Sequence, residues 1–232
     1  MRYQIPFLLA LIVFVSGCHF SAHDQISGSG IRKKEQRQVA TFTSIATDGA
    51  LDIDVDCQKP QSVEVEADDN LLARITTEVS GNVLRIKTKG NFSVKEPIKI
   101  TISMGNLEGL STNGAGKINI AGMKNDKFEV DANGATTIRV AGETKLLDIE
   151  TNGAGKIDAH RLQAARSVVQ AKGVARVDVN VTEQLDVTVY GPAHVTYQGD
   201  PVLNKTVHGP GSVEKREAEI SFVSPRSVIR ES

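Results

Sequence analysis

Tryptophan is absent from this 232-residue chain, and aromatic side chains make up only 4 % of it. A carbohydrate platform built from several flat aromatic rings is therefore poorly supplied. Cysteine is nearly absent as well, with only Cys18 and Cys57. If Cys18 is used elsewhere, no intramolecular disulfide remains to staple the fold. No charge sign dominates: 27 Lys and Arg face 28 Asp and Glu, for a net charge of −1. That balance argues against nucleic acid, whose phosphates call for a basic surface. The longest apolar run, from Ile5 to Val15, falls short of the roughly 20 residues a bilayer span needs.

Signatures of catalysis are missing too. There is no P-loop, no HExxH, no paired CxxC and no Gly-x-Ser-x-Gly elbow. The calcium nonapeptide Gly-Gly-x-Gly-x-Asp is absent, which disfavours a calcium-stacked roll. His19, His23, His160, His194 and His208 show no metal-ligand spacing. The expectation is a protein without metal or cofactor, and not an enzyme.

What the chain has is repetition. STNGAGKINIAG at 111–122, VDANGATTIRVAG at 130–142 and ETNGAGKIDAH at 150–160 are one phrase said three times. Weaker copies follow at 171–181, 189–199 and 207–217. The phrase glycines are Gly114, Gly134, Gly153, Gly173, Gly191 and Gly209, spaced 20, 19, 20, 18 and 18 residues apart. A period near 20 is the mark of a repeat architecture in which each copy buries its apolar edge on its neighbours. Asn-Gly ahead of an alternating apolar run predicts a tight turn feeding a strand, since both residues tolerate positive φ.

Alignment on the glycines sorts the side chains. Four places after them stand Ile118, Ile138, Ile157, Val177, Val195 and Val213. Four places before stand Leu110, Val130, Ile149, Val169 and Val187, with Lys205 the exception. Six places after, the apolar column ends at Lys215, and two places after it is uniformly small. Alternate strand residues share a face, so these even offsets form one interior. The reading is an all-β chain folded as a β-solenoid with rungs of about 20 residues. Lys205 and Lys215 fall in the last rung, where an end needs a polar face.

The N-terminus reads as an export signal. Arg2, the apolar run and Val15-Ser16-Gly17-Cys18 look like a bacterial lipobox, in which Cys18 is lipidated and becomes the first mature residue. His19, in place of an aspartate, resembles the signal permitting transfer to the outer membrane. Residues 1–17 are then the signal peptide. Residues 18–38, with SGSG at 27–30 and IRKKEQR at 31–37, read as a lipidated flexible tether. The domain is expected over 39–223, with a closing strand at 220–223 and a loose tail at 224–232. Its first rung opens at FTSIATDGALDIDV, with Asp48-Gly49 at the turn. Residues 68–78 predict a short helix capped by Asp68 or Asp69, within decorated N-terminal coils and antiparallel insertions. Cys57 reads as a small buried side chain.

These features together resemble the head GIN domain family of putative autotransporter adhesins. The resemblance rests on the lipobox, FTSIATDGALDIDV, DDNLLARITTEV, ITISMGNLEGLSTNGAGKINI and the repeated Gly-Ala-Gly turns, and covers about residues 39–215. It implies a right-handed, parallel β-helix-like fold in an exported or lipid-anchored envelope protein. The later phrases depart from it with Lys172-Gly173, Tyr190-Gly191 and His208-Gly209.

Odd offsets carry the outward charges. Lys117, Lys156, Arg176 and His194 stand three places after their glycines, and form the candidate ligand surface. Glu129, Asp131, Asp148, Glu150 and Asp186 stand three or five places before, as an acidic ladder. A solvated face of mixed charge is the plain alternative. The functional expectation is a non-catalytic outer-membrane lipoprotein, an adhesin or interaction module meeting an envelope or host glycan. The alternatives are a structural component binding a partner membrane protein, and a polysaccharide lyase or hydrolase using the acidic ladder. Lipid on Cys18 is the expected membrane contact.

Overall fold

The computed structural model describes residues 25–216. The lipobox with Cys18, and the closing strand expected at 220–223, lie outside those residues. Fourteen strands follow one another: β1 (Ile26–Ser27), β2 (Arg32–Gln36), β3 (Ser44–Asp56), β4 (Ser62–Asp68), β5 (Ile75–Ser80), β6 (Val83–Thr88), β7 (Phe92–Ser93), β8 (Ile98–Ser103), β9 (Gly109–Gly153), β10 (Lys156–Gly173), β11 (Arg176–Tyr190), β12 (His194–Gln198), β13 (Val202–His208) and β14 (Ser212–Lys215). One 3₁₀ turn, Leu72–Arg74, is the only helical element among the described residues. The all-β class read from the sequence holds.

From β9 onward the pairing is parallel and follows the period, and β3 joins β9 in the same sense. Thr137 lies opposite Lys156, Lys156 opposite Arg176, Arg176 opposite His194, and His194 opposite Ser212. Ile138 meets Ile157, Ile157 meets Val177, and Val177 meets Val195. Each strand thus hands the same side chain to the same place on the next, and the apolar columns bury almost completely. Ile138, Val177 and Val195 are 0 % exposed. The first rung joins in the expected register, with Ile45, Leu51, Ile53 and Val55 buried and Gly49 opposite Gly114. Lys205, exposed at a core-facing position in β13, marks where the interior stops.

The glycines serve two purposes, and the positive φ expected of them stands at Gly49, Gly134, Gly173, Gly191 and Gly209. In the first rung ladder pairing runs straight through the position, from Asp48–Asn113 to Gly49–Gly114 to Ala50–Ala115. Later strands break there, β9 ending at Gly153, β10 at Gly173 and β11 at Tyr190. The parallel pairing on both sides means that the Asn-Gly pairs make no hairpin. No asparagine among the described residues has positive φ. The second purpose is close approach: a Cβ on Gly134 would lie 2.2 Å from the carbonyl oxygen of Gly114, and one on Gly153 2.2 Å from that of Gly134. Only glycine lets the backbone of one repeat rest on the next at this corner.

Two other expectations are corrected. Part of the tether is structured, because β2 pairs antiparallel with β4, which pairs antiparallel with β8. Lys34 bonds Glu64 at 2.9 Å, and Arg32 reaches Glu66 at 3.5 Å and Asp68 at 3.8 Å. The basic run is held by the acids of β4 rather than by solvent. The helix expected over 68–78 reduces to the 3₁₀ turn, after which β5 pairs with β6. Asp68 and Asp69 cap no helix. Asp68 accepts from the Gly30 amide at 3.1 Å, and Asp69 from the Ser29 hydroxyl at 2.6 Å, which fixes the SGSG segment.

Candidate functional site

At the glycine corner the chain turns outward side chains on both flanks. One place after each glycine stand Ala50, Ala115, Ala135, Ala154, Val174, Pro192 and Pro210, all exposed. Three places after stand Asp52, Lys117, Thr137, Lys156, Arg176, His194 and Ser212. Between these rows lies a groove of about 480 Å³ lined by Ala135, Thr137, Ala154, Lys156, Val174, Arg176, Pro192 and His194, with Gly155 and Ala175 at its base. It gathers three of the four predicted surface residues. Lys117 lies on the same row, where its amide donates to Asp52 at 3.0 Å, but stands outside the groove.

The cations are not alone. A second row, five places after the glycines, carries Asp158 opposite Asp178 and Asp178 opposite Thr196. Lys156 Nζ stands 3.9 Å from Asp158 and 4.0 Å from Asp178. Asp178 is 4 % exposed and accepts from Thr196 Oγ1 and, at 3.2 Å, from Arg216 Nη2. Burial tends to raise the Asp158 carboxyl, but its hydrogen bond with His160 and the nearby His160 and Lys156 charges hold it below the ordinary value. These acids steady Lys156 from the flank. Arg176 pairs with no carboxylate among the described residues, and His194 Nδ1 lies 2.9 Å from Ser212 Oγ.

The acidic ladder sits on a different face. Glu129, Asp131, Asp148 and Glu150 rim a depression of about 340 Å³ floored by small residues such as Ser44, Gly109 and Ser111. Burial pushes the Asp148 carboxyl up, helped by Glu129 and Glu150 and opposed by Lys127. Lys127 pairs with Glu129, and Lys172 bonds Glu150 at 2.6 Å. Asp186 stands further along and bonds Asn204 at 2.8 Å. Among the described residues no group of three or more His, Cys, Asp or Glu is placed to hold a metal ion. Cys57 is buried, which raises its thiol, and it is free.

Composition alone hid two features of the corner. The apolar row was obscured by its small members, although Val174 is 65 % exposed. Tyr190 and His208, one place before their glycines, stack with ring centroids 5.0 Å apart and planes 12° from parallel. The 18-residue step between Gly191 and Gly209 was the signal that would have paired them.

Fold and corner together define an all-β protein whose parallel repeats display rows of side chains at fixed register. The chain belongs to the family described as "Putative auto-transporter adhesin, head GIN domain", which it matches over residues 41–201. A similar solved structure is a putative adhesin from Bacteroides fragilis NCTC 9343, 22 % identical with a TM-score of 0.69, covering 82 % of this chain and 100 % of that one. Another is a putative adhesin from Parabacteroides merdae ATCC 43184, 16 % identical with a TM-score of 0.52, covering 84 % and 100 %. At these identities the likeness is one of fold. No curated protein matches the chain.

Proposed function

We propose that this chain is a non-catalytic, adhesin-like module of the bacterial cell envelope, exported and anchored at the outer membrane by lipid on Cys18. In this reading the parallel repeats form a right-handed β-solenoid, and the domain binds through its outward rows rather than through a catalytic pocket. One observation carries it: register-locked pairing sets Thr137, Lys156, Arg176 and His194 on one line, beside an uncovered apolar row. A repeated surface of that kind suits many weak contacts that sum. The family's adhesin description and the lipobox of residues 15–18 support the location.

The test is a glycan array probed with the full mature chain, alongside pulldown from envelope extracts. Retention of a saccharide without its cleavage supports the proposal. A single stoichiometric membrane protein in place of a glycan overturns it for the structural role, and turnover of any polysaccharide overturns it for the enzymatic one. Anchoring has its own check. Replacing Cys18 with Ser should abolish metabolic lipid labelling and leave the protein unprocessed or soluble, and labelling that persists defeats the anchor.

A further inference from the structure

We propose that the corner groove from Thr137 to His194 is a channel for one strand of a linear acidic polysaccharide, laid along the stacking direction with one sugar per repeat. This rests on the reading of the chain as a non-catalytic binding module and specifies where and what it binds.

The shape selects a single chain. Two outward rows wall the groove, and its base is kept low by Gly155 and Ala175. A flat bilayer cannot enter a trough of this kind, whereas one extended polymer can. The four residues Thr137, Lys156, Arg176 and His194 belong to adjacent strands. Neighbouring strands lie about 4.8 Å apart, so three spacings make the channel roughly 14 Å long. The repeat of an extended pyranose chain is of the same order as one strand spacing, so each sugar can meet an equivalent set of side chains.

The walls select the chemistry. Ala135, Ala154, Val174 and Pro192 offer an apolar wall with no polar group, while Thr137, Lys156, Arg176 and His194 offer donors opposite. A pyranose ring has an apolar C–H face and a polar edge, and a uronic acid adds a carboxylate to that edge. The ring face lies against Val174 and Pro192, and the carboxylates meet Lys156 and Arg176. Arg176 is free to take a carboxylate in two parallel hydrogen bonds. Asp158 and Asp178 hold Lys156 at the flank, and Arg216 offsets the Asp178 charge, so the acids beside the row do not close it to anions. When His194 Nδ1 accepts from Ser212, its other ring nitrogen donates. A peptide fits less well. The row from Thr137 to His194 is paired between repeats, and beside it the Ala154 and Val174 amides donate to Gly134 and Gly153, which leaves little open strand edge to receive a peptide main chain.

Lys117 provides the discriminating control. It is on the same row and carries the same charge, but it lies outside the groove. A merely basic surface would use it as readily as Lys156.

The experiment measures binding of the full mature chain to polygalacturonate oligomers of increasing length, with poly-glutamate and phosphatidylglycerol vesicles as competing probes. Affinity should rise with length and level off near about four sugars, as the three spacings of the channel require. The double variant Lys156→Gln with Arg176→Gln should weaken binding about tenfold or more and flatten its salt dependence. Val174→Asp should weaken it comparably, and Lys117→Gln should leave it within about twofold. Thermal midpoints of all the variants, which change exposed or half-buried outward side chains, should stay near that of the unchanged protein. Equal loss in Lys117→Gln, equal affinity for poly-glutamate, or preference for the vesicles overturns the channel. So does binding to another saccharide that none of the variants alters, although the adhesin-like reading then stands. Shortened oligomers after incubation overturn the non-catalytic reading itself.

Discussion

At Gly153 a single methyl group decides whether two repeats can touch. The position has no unusual backbone conformation, but a Cβ there would sit 2.2 Å from the Gly134 carbonyl oxygen. Gly153→Ala should cost about 1–3 kcal/mol because the repeats must be pushed apart. Gly105→Ala, where a Cβ meets nothing within 4 Å, should be close to neutral. Urea melts of the two variants check the contrast. The interior offers a second pair. Ile138 is fully buried opposite Ile157, so Ile138→Asp should cost at least about 3 kcal/mol, while Thr137→Asp, one residue away and facing out, should cost little. Equal unfolding midpoints would refute the register. Asp148 supplies a pH test. Its carboxyl is raised in the folded protein, first by burial and then by Glu129 and Glu150, so its ionised form disfavours folding. That penalty is present at neutral pH and vanishes as pH falls through the folded value. Asp148→Asn should therefore raise the melting temperature at pH 7 and give no gain once the carboxyl is protonated in acid. At this scale the columns were legible because one side-chain period ran through six repeats. The Asn-Gly pairs misled only in part: Gly134 takes the positive φ expected of it and the asparagines do not, while the close approach of Gly134 and Gly153 to the repeat before them leaves no separate mark in the sequence.

At the scale of elements, β2 shows where local reading fails. RKKEQ has the composition of a solvated linker, and nothing within ten residues contradicts that. Its partners are Glu64, Glu66 and Asp68 on β4, some 28 to 36 residues away, and no periodicity links the two segments. DDNLLAR failed as a helix for the same reason. Asp68, Asp69 and Asn70 look like helix caps but are spent on residues 27–32, with Asn70 donating to the Ser27 carbonyl at 2.9 Å and Asp68 accepting from Gly30. Two measurements follow. A chain truncated to begin at Val39 should melt well below the full mature protein, whereas a free tether would make the truncation neutral. Asp68→Ala strands the Gly30 amide and leaves Arg32 short of a partner, and should cost about 1–3 kcal/mol. An unchanged midpoint in both variants would mean that β2 contributes nothing to the fold.

For the whole molecule, the two ends of the stack are unlike. The N-terminal end is finished by antiparallel strands, β8 carrying β4 and β4 carrying β2, with β5 and β6 beside them. The other end stops at β13 and β14, each paired on one side only among the described residues, with Lys205 and Lys215 exposed where the interior would continue. Inward-pointing lysines of this kind discourage a further strand from joining an open edge. Both lysines were visible in the sequence as breaks in apolar columns, because an end is where a repeat fails its own rule. The N-terminal finish was not visible, because it is built from residues that do not repeat. When each repeat touches only its neighbours, stability is close to a sum of nearest-neighbour contacts and need not be uniform along the stack. Hydrogen exchange should therefore be graded. Amides of β10, bonded between β9 and β11, should exchange on the order of a hundredfold or more slower than those of β13, which is mostly exposed and held by β11 alone. The amides of β4, a strand near the opposite end but covered by β2, should exchange at rates nearer those of β10. Removing residues before Val39 should speed exchange in β4 and leave β13 unchanged. Uniform protection from β4 to β13, or acceleration in β13 on that truncation, would show that the molecule opens as one unit rather than repeat by repeat.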